Sequence, residues 1–365
     1  MAKNQMNFKD KTILLTGGTG SFGRAFIKIM LEKHKPKTIR IFSRDEFKQH
    51  QLQQEYGYDH PKLRYFIGDV RDSQRVERAM SGVDIVIHAA ALKHITAAEY
   101  NPFEAVKTNI IGAQNIIEHA INHKVKKVVT ISTDKAVNPI NLYGGTKMVA
   151  EKLFIQGNSY AGNKKTRFSC VRYGNVIASR GSVIPMFIDK AKDGIVPITD
   201  IRMTRFWISL EEGIQLVLTT LDKMLGGEIF VPKVPSMKIV DLAKVIAPNA
   251  KVKIVGIRPG EKVHEVLISE NEAKRTREFK KFFVIEPEFV WWKSKKWRSG
   301  NKLGENFRYS SDSNKIWLTT KKVQEIVDQF KKENNLTNSS PISKNGQNKS
   351  KLHKQQTFSH YVKKS

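Results

Sequence analysis

Hydrophobic positions in the first half of the chain fall in short, nearly unbroken runs, separated by longer segments with helical spacing. KTILLTG, TIRIFSR, LRYFIGDV, VDIVIHAA, KVVTISTD and FSCVRYGNV are such runs, rich in Val, Ile and Phe. Continuous apolarity marks strands covered on both faces, so these six predict a buried sheet. Between them, PFEAVKTNIIGAQNIIEHAINH places apolar residues at Val106, Ile110, Ile117 and Ile121, the pattern of an amphipathic helix. Strands alternating with helices predict an α/β fold built on a doubly wound parallel sheet.

After about Gly181 the pattern loosens. SVIPMFIDKAKDG and SLEEGIQLVLTTLDKM read as helices and GGEIFVPK as a strand, while SMKIVDLAKVIAP opens on a Ser cap and stops before a Pro. Together they predict a smaller C-terminal lobe over the carboxyl ends of the strands. WWKSKKWRSG reads as a surface loop with a Trp anchor. Beyond Asn334 the chain is Asn, Ser, Lys and Gln with few apolar residues, the composition of a disordered basic tail.

Composition adds limits. A chain of 365 residues with 40% hydrophobic and 27% charged residues can bury a sizeable core. Cys170 is the single cysteine, so no internal disulfide forms and a reducing compartment is expected. No apolar run approaches the roughly 18 residues of a membrane helix, and MAKNQMNFKDK lacks the apolar centre of a signal peptide, so a cytoplasmic protein without membrane insertion is expected. The net charge of +28 suits polyanions, but the lysines are spread along the whole chain. With no C-x-x-C/H-x-x-x-H set and no aromatic RNA-binding signature, neither a metal site nor nucleic-acid binding is expected.

TGGTGSFG follows the first strand and opens a helix, with Gly17, Gly20 and Gly23 in G-x-x-G-x-x-G spacing. Such glycines let backbone approach a pyrophosphate at the positive end of a helix, which makes this a Rossmann-type dinucleotide turn. Ser21 and Phe22 belong to the same turn. The second strand ends in Ser43–Arg44, and a guanidinium there can pair with a ribose 2′-phosphate, which favours NADP; Asp45 follows, so NAD stays open. Asp69 and Val70 are placed to touch adenine. Ala89, with Ala90 and Ala91, either leaves room for cofactor or simply packs closely.

ISTDKAVNPINLYGGTK holds Tyr143 and Lys147 in Y-x-x-x-K spacing, a phenol beside an ammonium on one helical face. A tyrosine with a pKa of about 10 is a poor base until a cation favours its phenolate. Ser132 and Thr133 supply hydroxyls at the preceding strand end, where open α/β sheets place chemistry. Asp134 and Lys135 follow at once, and two opposite charges at that position need a reason.

The ordered motifs TGGTGSFG, FSRDE, GDVRD, HAAALKH, STDKA, NPINLYGGTK, RYGNV, SRGSVIP, ITDIRMTRFW, EIFVPK and IRPGEKVHE resemble the extended short-chain dehydrogenase/reductase superfamily. Within it they resemble the soluble inverting UDP-N-acetylglucosamine 4,6-dehydratases of the polysaccharide biosynthesis proteins, from about Lys11 to His264. The short stretch ahead of the glycine turn fits that soluble type.

The resemblance implies a bound cofactor, expected as NADP, recycled within each turnover. It implies a hydro-lyase that converts UDP-N-acetylglucosamine to UDP-2-acetamido-2,6-dideoxy-beta-L-arabino-hexos-4-ulose for surface glycans. Thr133, Tyr143 and Lys147 would then serve oxidation at carbon 4. Lys135 would be the base at carbon 5, made neutral by burial and nearby positive charge, and Asp134 the acid that helps the carbon 6 hydroxyl leave. Lys48 and Val176 would join the cofactor contacts. Lys93, Asn175, Arg180, Gly181, Ser182, Thr199, Arg205, Arg258 and Glu261 would hold the substrate, the arginines by gripping phosphate. A homo-oligomer is also expected.

On this basis residues 8–180 are expected to form the nucleotide-binding domain with the catalytic residues. Residues 181–333 would be mainly the substrate-binding lobe, with some segments returning to the first domain, and 334–365 the tail. Two alternatives remain: a UDP-sugar 4-epimerase on the same scaffold, which needs no Asp134–Lys135 pair, and a non-catalytic cofactor-sensing regulator.

Overall fold

The structure is a computed structural model that describes residues 6–177, 183–292, 297 and 299–333. The expected tail, half of WWKSKKWRSG, and Arg180, Gly181 and Ser182 lie outside the described residues. The chain opens with β1 (Thr12–Thr16), α1 (Ser21–Ile29), β2 (Thr38–Ser43), α2 (Glu46–Tyr56), β3 (Leu63–Ile67), α3 (Ser73–Met80) and β4 (Ile85–His88). It continues through α4 (Ile95–Tyr100), α5 (Pro102–Val106), α6 (Gly112–Asn122), β5 (Lys127–Thr133), α7 (Leu142–Tyr160) and β6 (Arg167–Tyr173). All six expected runs are strands, and β1 and β4 are buried along their whole length.

The strands lie in the order β3-β2-β1-β4-β5-β6, all parallel, so the strand order reverses between β1 and β4. The crevice beyond their carboxyl ends is where such sheets bind ligands. Thr16 Oγ1 and His88 Nδ1, 2.8 Å apart, tie the two strands together there. Burial, with Lys147 nearby, lowers His88 to about 3, so the ring is neutral.

The helix expected from Pro102 to His123 is continuous but not uniform. A π turn at Lys107–Ile111 joins α5 to α6, and such bulges re-aim side chains near functional sites.

The second half supplies β7 (Asn175–Val176), α8 (Val183–Ala191), β8 (Ile195–Ile198), β9 (Thr204–Ile208), α9 (Leu210–Lys223), β10 (Ile229–Pro232), β11 (Ser236–Lys238) and α10 (Ile239–Ile246). After these come β12 (Lys251–Ile254), β13 (Val266–Ile268), α11 (Glu270–Ala273), β14 (Thr276–Glu278), β15 (Phe282–Ile285), β16 (Asn301–Lys302), β17 (Tyr309–Ser310) and α12 (Thr320–Glu333). A separate small core joins Ile184, Phe187, Val196, Trp207, Leu242 and Val327, which is the smaller lobe.

Several segments expected in that lobe return to the main sheet. β10 is buried throughout and pairs parallel to β6, since a wholly apolar strand needs neighbours on both faces. Helix α9 buries Ile214, Val217 and Leu221 in the main core. Antiparallel β15, β14 and β16 extend the sheet beyond β10. Ser236 is not a helix cap: it sits in β11 opposite Phe206 of β9, and α10 begins three residues later, after Lys238.

Candidate active site

A cleft of about 790 Å³ opens over the carboxyl ends of β1, β2, β4 and β5. The glycine turn shapes one end. Gly17 has φ +68°, and a Cβ there would come 2.9 Å from Ala90 N; only glycine lets the turn pass this close to the segment after β4. A Cβ on Gly23 would meet Gly18 O at 2.3 Å, so α1 packs directly on the turn. Gly20 caps α1 without a side-chain bond, which leaves first-turn N–H groups of Ser21 and Phe22 for an anion. These features fit a dinucleotide pyrophosphate.

Gly17, Gly20, Ser21 and Phe22 line the cleft, as do Ser43, Arg44, Asp45 and Lys48 from the end of β2. Asp69, Val70 and Ala89 complete that wall. Gly23 does not line it; it acts by packing. The Asp45 side chain caps α2 at Lys48 N (3.0 Å) and pairs with the Lys48 ammonium. Arg44 lies 3.7 Å from the Asp69 carboxylate, which also takes Arg71. Burial alone would raise Asp69, but bonds from Arg71 and the nearby Arg44 charge hold it below the usual carboxylate range.

The chemical end is built by two packing contacts. Asn141 Oδ1 accepts from Gly144 N at 2.7 Å and caps α7, which aims Tyr143 and Lys147 into the cleft. A Cβ on Gly144 would stand 2.2 Å from Lys135 O, so only glycine allows α7 to lie against the short 3-10 turn Asp134–Ala136. Thr133, Lys135, Tyr143 and Lys147 therefore share one wall. Burial lowers Lys147, against the pull of Glu151 one turn along α7. Burial raises the Tyr143 phenol, against Lys135 and a hydrogen bond with the Thr133 hydroxyl.

Asp134 is fully buried and is not among the cleft-lining residues. Its Oδ1 accepts from Thr133 Oγ1 (2.9 Å) and Lys135 Nζ (3.0 Å), while Oδ2 has no partner among the described residues. Lys135 also lies 3.4 Å from Glu265 Oε1. Burial would lower this ammonium, but Asp134 and Glu265 outweigh it and raise it well above the ordinary lysine value. The expectation that its surroundings neutralise Lys135 is thus corrected: two carboxylates, one of them distant in sequence, stabilise its charge.

Among the expected substrate residues, Lys93 and Asn175 line the cleft with Val176, and the buried Asn175 Oδ1 has no partner among the described residues. Thr199, Arg205, Arg258 and Glu261 do not line it. Arg205 is buried; its Nη1 donates to Thr204 O and Val263 O, and its Nε lies 3.8 Å from Glu265, so its charge is committed inside the protein rather than to phosphate. Arg258 and Glu261 face each other at 3.9 Å on the exposed segment that follows β12.

Several residues escaped sequence reasoning. Asn109, in the π turn, accepts from Leu92 N and donates to Leu92 O and Thr146 Oγ1, which fixes the loop bearing Lys93. Asn141 also donates to Gly260 O and so joins the RPGEK segment to α7. Glu265 stands in the EKVHE motif, where only its position in space shows its partner. On α3, on α6 and just after α6, outside the cleft, Glu77, His119 and His123 bring ligand atoms within 4.8 Å of one another; the last two do form an H-x-x-x-H spacing, although His119 Nε2 already meets Ser73 Oγ at 2.8 Å.

The model of the family described as "Polysaccharide biosynthesis protein" matches residues 13–287. The chain belongs to this family. It is 52% identical over 329 residues to the UDP-N-acetylglucosamine 4,6-dehydratase (inverting) of Campylobacter jejuni, covering 88% of this chain and 98% of that one. It is 44% identical over 286 residues to a UDP-glucose 4-epimerase of Rickettsia conorii, covering 76% and 83%. Among solved structures, Pen from Bacillus thuringiensis superposes with a TM-score of 0.80 at 38% identity, over 89% of this chain and all of Pen. The Rossmann-type α/β fold with a smaller lobe is shared with DesIV, a dTDP-glucose 4,6-dehydratase from Streptomyces venezuelae, at a TM-score of 0.61 and 21% identity over 69% and 86% of the two chains.

DesIV was solved with NAD and TYD bound. The expectation of NADP is corrected on this finding. The reason Arg44 misled is local: its guanidinium is drawn to Asp69, while Asp45 remains at the strand end where a ribose-binding acid belongs. Among the described residues no helix is long and apolar enough to cross a membrane.

Proposed function

We propose that this chain dehydrates UDP-N-acetylglucosamine across carbons 4 to 6 and inverts carbon 5, with NAD as its resident cofactor. The observation that carries the reading is Lys135 on the cleft wall with Tyr143, backed by Asp134 and Glu265. NAD supplies the chemistry of removing hydride from carbon 4 and returning it to carbon 6. Glycines 17 and 20 and the α1 N-terminus hold the pyrophosphate, and Asp45 and Asp69 flank the adenosine side.

Tyr143 takes the carbon 4 hydroxyl proton, with Thr133 fixing the phenol and the Lys135 charge favouring phenolate. Lys135 works at carbon 5, which the neighbouring ketone makes acidic. Asp134 has no face on the cleft, so it acts on the leaving hydroxyl through Lys135. Lys93 and Asn175 orient the sugar from the cleft, Arg180, Gly181 and Ser182 contact the substrate, and Thr199, Arg258 and Glu261, outside the cleft lining, serve the uridine diphosphate. The reading includes a cytoplasmic location, suited to the buried free thiol of Cys170, and a homo-oligomer, for which exposed Tyr100 and Phe103 offer apolar surface.

The second reading, a UDP-sugar 4-epimerase, is favoured by the Rickettsia relative. Proton NMR of the protein with UDP-N-acetylglucosamine in deuterated water separates the two. A 6-methyl signal with deuterium at carbon 5, lost in Lys135→Ala, is expected. A 4-epimer alone, or turnover indifferent to Lys135→Ala, would overturn the dehydratase reading.

A further inference from the structure

An ammonium is not a base, and the fold has placed Lys135 where its charge is strongly held. Its Nζ stands between Asp134 Oδ1 at 3.0 Å and Glu265 Oε1 at 3.4 Å. Lys135 is the member of this set that reaches the cleft; the two carboxylates lie behind it. For Lys135 to remove a carbon proton, its own proton must first go somewhere close.

The two carboxylates differ in their capacity to take it. Asp134 Oδ1 already accepts from both Thr133 and Lys135. Glu265 is 2% exposed; among the described residues its Oε2 has no partner, and its Oε1 meets only cations, Lys135 and, at 3.8 Å, Arg205. Both carboxylates are buried with one bare oxygen, but Asp134 Oδ1 already accepts two hydrogen bonds while the Glu265 carboxylate accepts none among the described residues, so Glu265 is the freer to take a proton. Burial indeed raises Glu265, against the pull of Lys135, Arg205 and Lys262 and with help from Asp134, which are the charged groups acting on it.

The backbone of Glu265 is clamped, which fixes the root of its side chain beside Lys135. Glu265 N donates to Ser311 Oγ at 2.9 Å, Ser311 N donates to Glu265 O at 2.8 Å, and Ser311 Oγ meets Thr204 Oγ1 at 2.7 Å.

We propose that Glu265 is a positioning residue that receives and stores the proton Lys135 must shed before Lys135 can act as a base. The inference rests on the dehydratase reading. At rest the pair holds one proton, as ammonium and carboxylate. Its transfer to Glu265 leaves Lys135 as a neutral amine, whose lone pair takes the proton from carbon 5. The carbon–hydrogen electron pair moves into the carbon 4 ketone as an enolate, and the pair now holds two protons. When the enolate expels the carbon 6 hydroxyl, the carbon–oxygen bond breaks and the Lys135 ammonium gives that oxygen its proton, releasing water. Glu265 then returns its proton to Lys135, and the pair is again at one.

The test uses the full chain with its cofactor. Deuterium entry at carbon 5 and 6-methyl formation from UDP-N-acetylglucosamine are followed against pH, beside the absorbance of reduced cofactor, for the parent, Glu265→Gln and Glu265→Asp. Glu265→Gln is expected to keep carbon 4 oxidation but slow carbon 5 exchange on the order of 10²-fold. Its exchange should rise with pH, because the ammonium must now lose its proton to solvent, and Glu265→Asp should recover part of the rate. A Glu265→Gln rate and pH profile matching the parent within about twofold would overturn the proposal. If Glu265→Gln loses cofactor binding, Glu265→Asp decides: slowed exchange with a displaced pH profile supports the role, and parental behaviour overturns it. A parent that forms no 6-methyl product removes the dehydratase reading and this inference with it, whereas an active parent with an indifferent Glu265→Gln removes this inference alone.

Discussion

Replacing Arg172 by methionine takes the cation out of a buried set of two carboxylates. Arg172 donates Nε and Nη2 to Glu151 at 3.0 and 2.6 Å, and Nη1 and Nη2 to Glu272 at 3.1 and 3.0 Å. Its side chain is 3% exposed. Breaking such a set by removing one partner costs about 3–5 kcal/mol, because the remaining charges stay buried without compensation. Glu272 shows the same dependence from its own side. Burial alone would raise its carboxyl, yet Arg172, the Ser269 N–H and Arg275 hold it at about 2 against an ordinary 4.5. At about 1.4 kcal/mol per pH unit that difference corresponds to about 3 kcal/mol, in the same range.

The direction with pH follows. A carboxyl whose pKa is depressed on folding stabilises the fold above its unfolded value, and that contribution is lost as pH falls from 4.5 toward 2. Urea unfolding of parent and Arg172→Met should therefore show a gap of about 3–5 kcal/mol at neutral pH that narrows through this window. Adding Glu151→Gln and Glu272→Gln to the variant should recover much of the loss. A neutral-pH gap under about 1 kcal/mol, or one that does not change with pH, would refute the assignment of the set as a buried, mutually dependent ion cluster. The consequence reaches the chemistry, since Glu151 is also the carboxylate that acts on Lys147.

Gly23→Ala should weaken NAD binding by at least about tenfold in calorimetry, because its methyl group would force apart the Gly18 backbone and α1. The purified protein should bind NAD more tightly than NADP by about tenfold or more, measured by the same titration, as Asp45 and Asp69 face the cleft beside Arg44. Asn109→Ala, by orphaning the Leu92 N–H and C=O, should destabilise by about 1–3 kcal/mol in thermal unfolding and raise KM through the Lys93 loop. Ser209→Ala removes the capping box of α9 and should cost about 1 kcal/mol of unfolding free energy with kcat unchanged.

What the sequence determined by itself is local. The six apolar runs are all strands, although β3 at the sheet edge leaves Arg64 and Ile67 exposed, and the glycine turn between β1 and α1 announced a phosphate site because only glycine tolerates Gly17's φ of +68° and the contact at Gly23. Tyr143 and Lys147 were legible because helical spacing fixes them on one face of α7. Even the placing of Asp134 and Lys135 at a strand end followed from order along the chain.

The tertiary structure decided whatever depends on who meets whom across the chain. It sent α9 and β10 back to the main sheet, since their apolar faces found their cover there. It turned Arg205 inward and tied Arg44 to Asp69, which no spacing could show. Above all it brought Glu265, 130 residues beyond Lys135, to 3.4 Å from the lysine ammonium. Charge interactions inside a protein depend on distance and burial rather than on sequence separation, so the protonation of the central lysine was fixed only when the two halves of the chain closed around it.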